Sequence, residues 1–124
     1  MTQQSCYIYK ICGADEWSNA VTSGTYTGSA DDLRDGFIHF STRAQVEETA
    51  AKHFAGRSGL ILVEVDTSAL GALLRWEPSR RGEPFPHLYG PLPTTAARAV
   101  HPLPLGADGR HVFPWAAPGC KTQA

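Results

Sequence analysis

The sequence has few of the features that identify metal, membrane or nucleic-acid proteins. Its three cysteines, Cys6, Cys12 and Cys120, show neither CxxC spacing nor a histidine at zinc-site distance, so we expect no bound metal and no disulfide framework. The longest apolar stretch, around residues 60–63, is far below the roughly 20 residues of a membrane helix, and the N-terminus has no signal-peptide pattern. The net charge of -1 includes no basic excess for nucleic acid. We therefore expect a cytoplasmic protein without a membrane or nucleic-acid partner.

Motifs that would identify an enzyme class are also absent, since there is no GxGxxG or Walker-type phosphate loop and no GxSxG elbow. The sequence does have the length and apolar content of one ordinary domain, with 124 residues of which 42% are hydrophobic. We expect a single domain over residues 1–124, with its core within about residues 5–105. Residues 106–124 are predicted to form a C-terminal hairpin or a loosely ordered tail.

Strand patterns outnumber helix patterns. Strands are predicted at residues 5–12 (SCYIYKIC), 60–66 (LILVEVD, a central strand), 75–77 and 96–103. A helix is predicted after Asp15, and another after a capping box formed by Thr42 and Gln45, ending at Gly56. Residues 25–36 are rich in turn formers. Five or six strands with two main helices indicate an α+β domain whose strands are mixed and mostly antiparallel.

Two apolar segments, 35–42 (DGFIHFST) and 85–92 (FPHLYGPL), each contain a histidine. Burying a polar ring without a partner costs roughly 1–3 kcal/mol, so such a histidine is expected to be hydrogen-bonded or used. Side chains alternate along a strand, so His39 and Ser41 face the same side. His39 is therefore either a catalytic or ligand-binding residue, or a ring satisfied by the backbone.

The second segment carries His87 and Tyr89 at the same two-residue spacing, which predicts that both line one wall of a cavity. Pro86 and Pro91 exclude a long helix and disfavour a central position in a sheet, so a rigid loop with one short extended piece is predicted. The alternative is a stiff structural corner in which Tyr89 bonds to the backbone.

Polar residues outside the histidine segments give weaker candidates. Thr42, like Ser41, lies at a strand-to-helix junction, where free N–H groups favour an anion but where a serine or threonine also simply caps the helix. Lys10, in the first strand, either binds ligand or extends to solvent from an edge. Arg80 could bind a phosphate or lie on the surface. Glu77 and Glu83 are each an acid/base or ribose-binding candidate or an exposed carboxylate.

The segments IYKI, DGFIHFST, LILVEVD and FPHLYGPL together resemble a small bacterial family catalogued as a domain of unknown function, over about residues 7–104. That family is similar in layout to the ADP-ribosyltransferase superfamily, which includes RNA 2'-phosphotransferases and holds NAD in a cleft between two small sheets. The resemblance implies an ADP-ribosyltransferase-like fold and NAD as a candidate cofactor. Lys10 stands where the superfamily has a histidine or arginine, and its catalytic glutamate has no clear counterpart here.

The combined prediction is a polar cleft for a nucleotide-like or phosphorylated small ligand, with NAD-dependent ADP-ribosyl or phosphate transfer as the candidate reaction. The predicted catalytic residues are His39, His87 and Glu83. The predicted ligand-binding residues are Lys10, Ser41, Thr42, Arg80 and Tyr89. The alternative from another class is a non-catalytic binding or protein-interaction module, including a homodimer.

Overall fold

The structure is a computed structural model that describes residues 7–78 and 82–115. The helices are α1 (Ala14–Ser23), α2 (Ala30–Asp35) and α3 (Arg43–His53). The strands are β1 (Tyr7–Gly13), β2 (Thr25–Tyr26), β3 (Ile38–His39), β4 (Leu60–Asp66), β5 (Leu74–Pro78), β6 (Pro84–Leu88), β7 (Leu92–Pro93) and β8 (Ala97–Pro102). These elements form an α+β domain with antiparallel sheets.

The strands form two three-stranded sheets, in the orders β1-β4-β8 and β3-β6-β5, and a small ladder of β2 with β7. All of these pairs are antiparallel. The two larger sheets meet where the Tyr9 amide donates to the Ser41 carbonyl at 2.8 Å and the Ser41 amide donates to the Tyr9 carbonyl at 2.9 Å. This bridge brings the end of β3 against the middle of β1.

Side chains that alternate along β1 pack into two separate parts of the hydrophobic core, as the alternating sequence pattern predicts. Ile8 and Cys12 pack with α1 and the second sheet, whereas Tyr9 and Ile11 pack against α3. Lys10 lies on the Ile8 side and is also buried, with its side chain 6% exposed. The predicted central position of the LILVEVD strand is confirmed, since β4 lies between β1 and β8.

Helix α2 forms within a segment that the sequence predicted as turns. Its N-cap is Ser29, whose hydroxyl accepts from the Asp32 amide while the Asp32 carboxylate accepts from the Ser29 amide. This reciprocal capping box stabilises a helix too short to persist alone. The other boundary differences are small: α1 is capped by Gly13 and not by Asp15, and Thr42 caps α3 as predicted.

The second histidine segment contains the short extended piece that was predicted, β6, but the expectation that its prolines disfavour a central position was wrong, because β6 is the central strand of its sheet. Pro86 is accommodated there because β3 is only two residues long. The Pro86 carbonyl accepts from the Phe40 amide at 3.0 Å, on the side where β3 has already ended. In an antiparallel sheet, the N–H and C=O of one residue point to the same neighbouring strand. The backbone of Pro86 therefore points towards β3, and the hydrogen bonds between β6 and β5 are complete without an N–H on Pro86.

In the described part of the chain, no helix is long and apolar enough to cross a membrane.

Candidate functional site

A cleft of about 290 Å³ opens between α2 and α3, with its floor on β1, β3 and β6. Its lining combines apolar and titratable side chains: Tyr9, Lys10, Ile11, Ser29, Asp31, Asp32, Arg34, Asp35, His39, Phe40, Ser41, Thr49, His53, Phe54, Phe85 and His87. The cleft therefore brings together four predicted site residues that are far apart in the sequence, namely Lys10, His39, Ser41 and His87.

The carboxylate of Asp32 organises the inner end of the cleft. Its side chain is 1% exposed, and one oxygen lies 2.8 Å from Lys10 Nζ. The other oxygen lies 2.6 Å from Nδ1 of His39 and accepts from the His39 backbone amide at 3.1 Å. With the bond from the Ser29 amide, this one carboxylate joins β1, α2 and β3.

The pKa of Asp32 lies well below the usual range of an aspartate. Burial opposes ionisation, but the hydrogen bond from His39 and the charge of Lys10 outweigh it. Lys10 therefore does not extend to solvent from its edge strand, which corrects one of the two sequence interpretations. It forms a buried ion pair, and Asp32 remains a carboxylate at any ordinary pH.

His39 is held between two carboxylates. While Nδ1 faces Asp32, Nε2 lies 3.0 Å from an oxygen of Asp35, one turn further along α2. Only a doubly protonated ring donates at both positions. The Asp35 carboxylate also accepts from Arg34, and this bond together with the charge of Arg34 lowers the pKa of Asp35. The outer face of the ring remains open, since the side chain is 38% exposed.

His87 has its own carboxylate partner. Nδ1 of His87 lies 2.7 Å from Glu77, and the Tyr89 hydroxyl donates to the same Glu77 oxygen at 2.7 Å. These two bonds lower the pKa of Glu77 and raise that of Tyr89. Phe37 stacks on the His87 ring at a centroid distance of 4.0 Å. The ring of His87 is thereby fixed at its edge and on one face.

His39 and His87 are cross-strand partners in the register of β3 with β6. Their ring centroids are 5.6 Å apart, with the rings steeply inclined. Directly opposed residues of an antiparallel pair have neighbouring side chains, so the register itself creates this pair. Two imidazoles at this spacing can act on neighbouring atoms of one ligand as proton donor and acceptor, and His39 does so once a ligand displaces Asp35 from its Nε2.

Of the other predicted site residues in the described part of the chain, Ser41 lines the cleft and Thr42, Tyr89 and Glu83 do not. The Ser41 hydroxyl donates to Thr49 at 3.2 Å on the cleft wall, and Thr42 caps α3 outside the lining. Tyr89 reaches the site only through Glu77, with Arg75 4.7 Å above its ring. Glu83 is exposed at the edge of β6, outside the lining. Arg80 falls outside the described residues.

The sequence interpretation missed two important carboxylates, Asp32 and Asp35, and did not select a third, Glu77, as a site residue. Asp32 and Asp35 belong to the segment predicted as turns, although the spacing of Ser29 and Asp32 fits a capping box. Glu77 is an acid/base candidate or an exposed carboxylate in the sequence, and only Glu83 of the two is among the predicted catalytic residues. The pairing of Glu77 with His87 follows from the register of β5 with β6, which a local pattern does not contain.

Within residues 7–78 and 82–115, no group of three or more histidine, cysteine, aspartate or glutamate side chains is arranged to hold a metal ion.

The structure defines a small α+β domain with antiparallel sheets and a cleft between α2 and α3. Residues 11–100 match the family described as "Protein of unknown function (DUF952)", and the chain belongs to this family. The crystal structure of protein CC0527 from Caulobacter crescentus is similar, with 47% identity and a TM-score of 0.83, covering 86% of this chain and 93% of that one.

A solution NMR structure of the same Caulobacter crescentus protein gives a similar result, with 48% identity, a TM-score of 0.77 and coverage of 85% and 90%. A comparison with curated proteins gives no match.

Proposed function

We propose that this domain binds a nucleotide-like ligand in the cleft and uses His39 and His87 as an acid–base pair in a group-transfer reaction. The observation that carries this proposal is the cross-strand pair itself, with ring centroids 5.6 Å apart and each Nδ1 on a carboxylate. A carboxylate at Nδ1 fixes the orientation of an imidazole and stabilises its charged form. Purely structural histidines do not need to converge on one cleft.

The charges of the cleft favour glycosyl transfer over phosphate transfer. Phosphoryl transfer is promoted by cations around the transferred group, yet the lysine and arginine that line this cleft, Lys10 and Arg34, are each paired with aspartates. Carboxylates instead stabilise the positive charge that develops on a sugar when a glycosidic bond breaks. Transfer of an ADP-ribosyl group from NAD is such a reaction: the bond from C1' to nicotinamide breaks, nicotinamide leaves with the electron pair, and an acceptor attacks C1' while losing a proton to a base.

The resemblance to ADP-ribosyltransferases supports NAD as the donor. Lys10 on β1 lines the cleft in the position where that superfamily has a histidine or arginine. Neither Glu77 nor Glu83 is part of the cleft lining. For the carboxylate role Glu77 is the better candidate, because it bonds to His87, which lines the cleft, whereas Glu83 is exposed. His39 and His87 would orient ribose hydroxyls or remove the acceptor's proton.

A second candidate function is a non-catalytic binding or interaction module. The observation in its favour is that Asp32 joins three elements through Lys10, His39 and Ser29. In that case the network serves to hold α2 against the sheets. His39 and His87 would then help to hold a stable binding surface in place and would catalyse no reaction.

Binding and turnover of NAD test the two candidates. Titration calorimetry with NAD and ADP-ribose should show binding, and a ligand at ten times its Kd should stabilise the fold by about 1.4 kcal/mol, a shift of several degrees in Tm. Release of nicotinamide, followed by chromatography, should fall at least about 100-fold in His87→Asn, because general acid–base catalysis contributes about 10²–10⁴-fold.

The matched control is His101→Asn, since His101 lies on β8, outside the cleft lining. No heat at millimolar NAD or ADP-ribose, with an unchanged Tm, would refute nucleotide binding. Binding without nicotinamide release by the wild-type protein would favour the non-catalytic candidate.

A further inference from the structure

The cations of the cleft are already paired. Lys10 lies 2.8 Å from Asp32, and Arg34 lies 3.0 Å from Asp31 and 3.0 Å from Asp35. Among the described residues that line the cleft, these are the only lysine and arginine. A phosphate placed here would meet cations whose charge is balanced and would lie beside three carboxylates. Phosphate groups of a ligand are therefore disfavoured in this part of the cleft.

The same lining is well equipped for hydroxyl groups. Asp35 is about one-third exposed, and its oxygen lies 3.0 Å from Nε2 of His39 at the mouth of the cleft. This contact leaves no space for an oxygen atom between the two groups, so a ligand hydroxyl beside them would donate to a remaining lone pair of the Asp35 carboxylate. An acidic side chain that accepts from ribose hydroxyls is a common device in nucleotide-binding proteins.

The buried end of the cleft offers a further polar contact. The side chain of His87 is 8% exposed and lines the cleft. Its Nδ1 faces Glu77, so a ligand in the cleft would be contacted through Nε2. His87 therefore marks the inner limit of the proposed ligand position.

We infer that the cleft holds the ribose of the ligand, with its vicinal hydroxyls on the Asp35 carboxylate beside the rings of His39 and His87, and that the ligand's phosphates point out of the cleft. This inference rests on the proposed function and specifies how that ligand is oriented. The volume of about 290 Å³ agrees with it, because this lies at the lower limit of small-molecule pockets, roughly 300–1,000 Å³. It accommodates a sugar ring and a neighbouring group, and not a whole dinucleotide.

The experiment compares ligands that differ only in the diol. Calorimetry or NMR titration of the full chain with adenosine and with 2',3'-dideoxyadenosine should show at least about tenfold weaker binding of the dideoxy compound, because a hydrogen bond to a charged group is lost. Inorganic pyrophosphate should not compete with adenosine. Asp35→Asn should weaken adenosine binding about tenfold, and Asp15→Asn, an exposed aspartate on α1, should leave it unchanged.

Three results would overturn the inference while leaving the proposed function intact. These are equal binding of adenosine and its dideoxy analogue, competition by pyrophosphate, and binding of ADP-ribose by a protein that does not bind adenosine. If neither ADP-ribose nor adenosine binds, both proposals fail. Wild-type Tm values for Asp35→Asn and Asp15→Asn would show that any loss of binding is not a loss of fold.

Discussion

Replacing Asp32 by asparagine should destabilise the protein strongly. The substitution removes the negative charge beside Lys10 and leaves a buried ammonium group whose side chain is 6% exposed. Removal of one partner from a buried ion pair typically costs about 3–5 kcal/mol, because the other charge remains without compensation. Since small domains have about 5–15 kcal/mol of stability in total, Asp32→Asn should lose a large fraction of it.

Urea unfolding followed by circular dichroism measures this loss, and the neighbouring Asp31 provides a matched control. The side chain of Asp31 is 75% exposed and pairs with Arg34 on the surface, so Asp31→Asn should change stability by less than about 1 kcal/mol. In a Lys10→Met background, Asp32→Asn should cost at least about 1 kcal/mol less, because the uncompensated ammonium is gone. Equal effects of Asp31→Asn and Asp32→Asn would refute the importance of the buried pair.

The same carboxylate predicts a direction for the pH dependence. The pKa of Asp32 is lower in the folded protein than in the unfolded chain, so its contribution is fully present above the unfolded value of about 3.9. As the pH falls below that value, the unfolded state takes up the proton first and stability is lost. Between pH 5 and pH 2, Asp32→Asn should therefore lose less stability than the wild type; parallel curves would contradict this explanation.

Three further substitutions or modifications test other parts of the structure. Gly28→Ala should destabilise more than Gly24→Ala, because both have positive φ but only at Gly28 would a Cβ lie 2.7 Å from a neighbouring side chain. Cys12 should resist iodoacetamide in the folded protein and react in urea, because burial raises the pKa of its thiol to about 12. Glu77→Gln should lower the pKa of Tyr89, which ultraviolet titration measures, because the hydrogen bond that raises it is weakened.

Each of these measurements has a result that contradicts it. Equal Tm values for Gly28→Ala and Gly24→Ala would mean that the Asp32 side chain moves away from the new Cβ at position 28 without a cost in stability. Alkylation of Cys12 at the same rate with and without urea, located by peptide mass spectrometry, would show that the thiol is accessible. An unchanged tyrosine titration in Glu77→Gln would show that Tyr89 does not donate to Glu77 in solution.

The local sequence patterns predicted the elements that carry a strong periodic or capping signal. The alternation of β1, the apolar run of β4 and the capping box at Thr42 each reflect contacts within a few residues, so they can be found without the fold. The alternation also predicted that His39 and Ser41 share a face, and both line the cleft. Local patterns were less reliable where a short element depends on its neighbours, as in α2 and β6.

What only the tertiary structure decided is how the charged groups are combined. The sequence alone determined an α+β domain and singled out the two histidine segments, because an imidazole inside an apolar strand is unusual wherever the strand lies. The register of β3 with β6 then placed His39 opposite His87, while the short helix α2 brought Asp32 between Lys10 and His39. Pairings between distant segments depend on the packing of the whole chain, so no local pattern contains them.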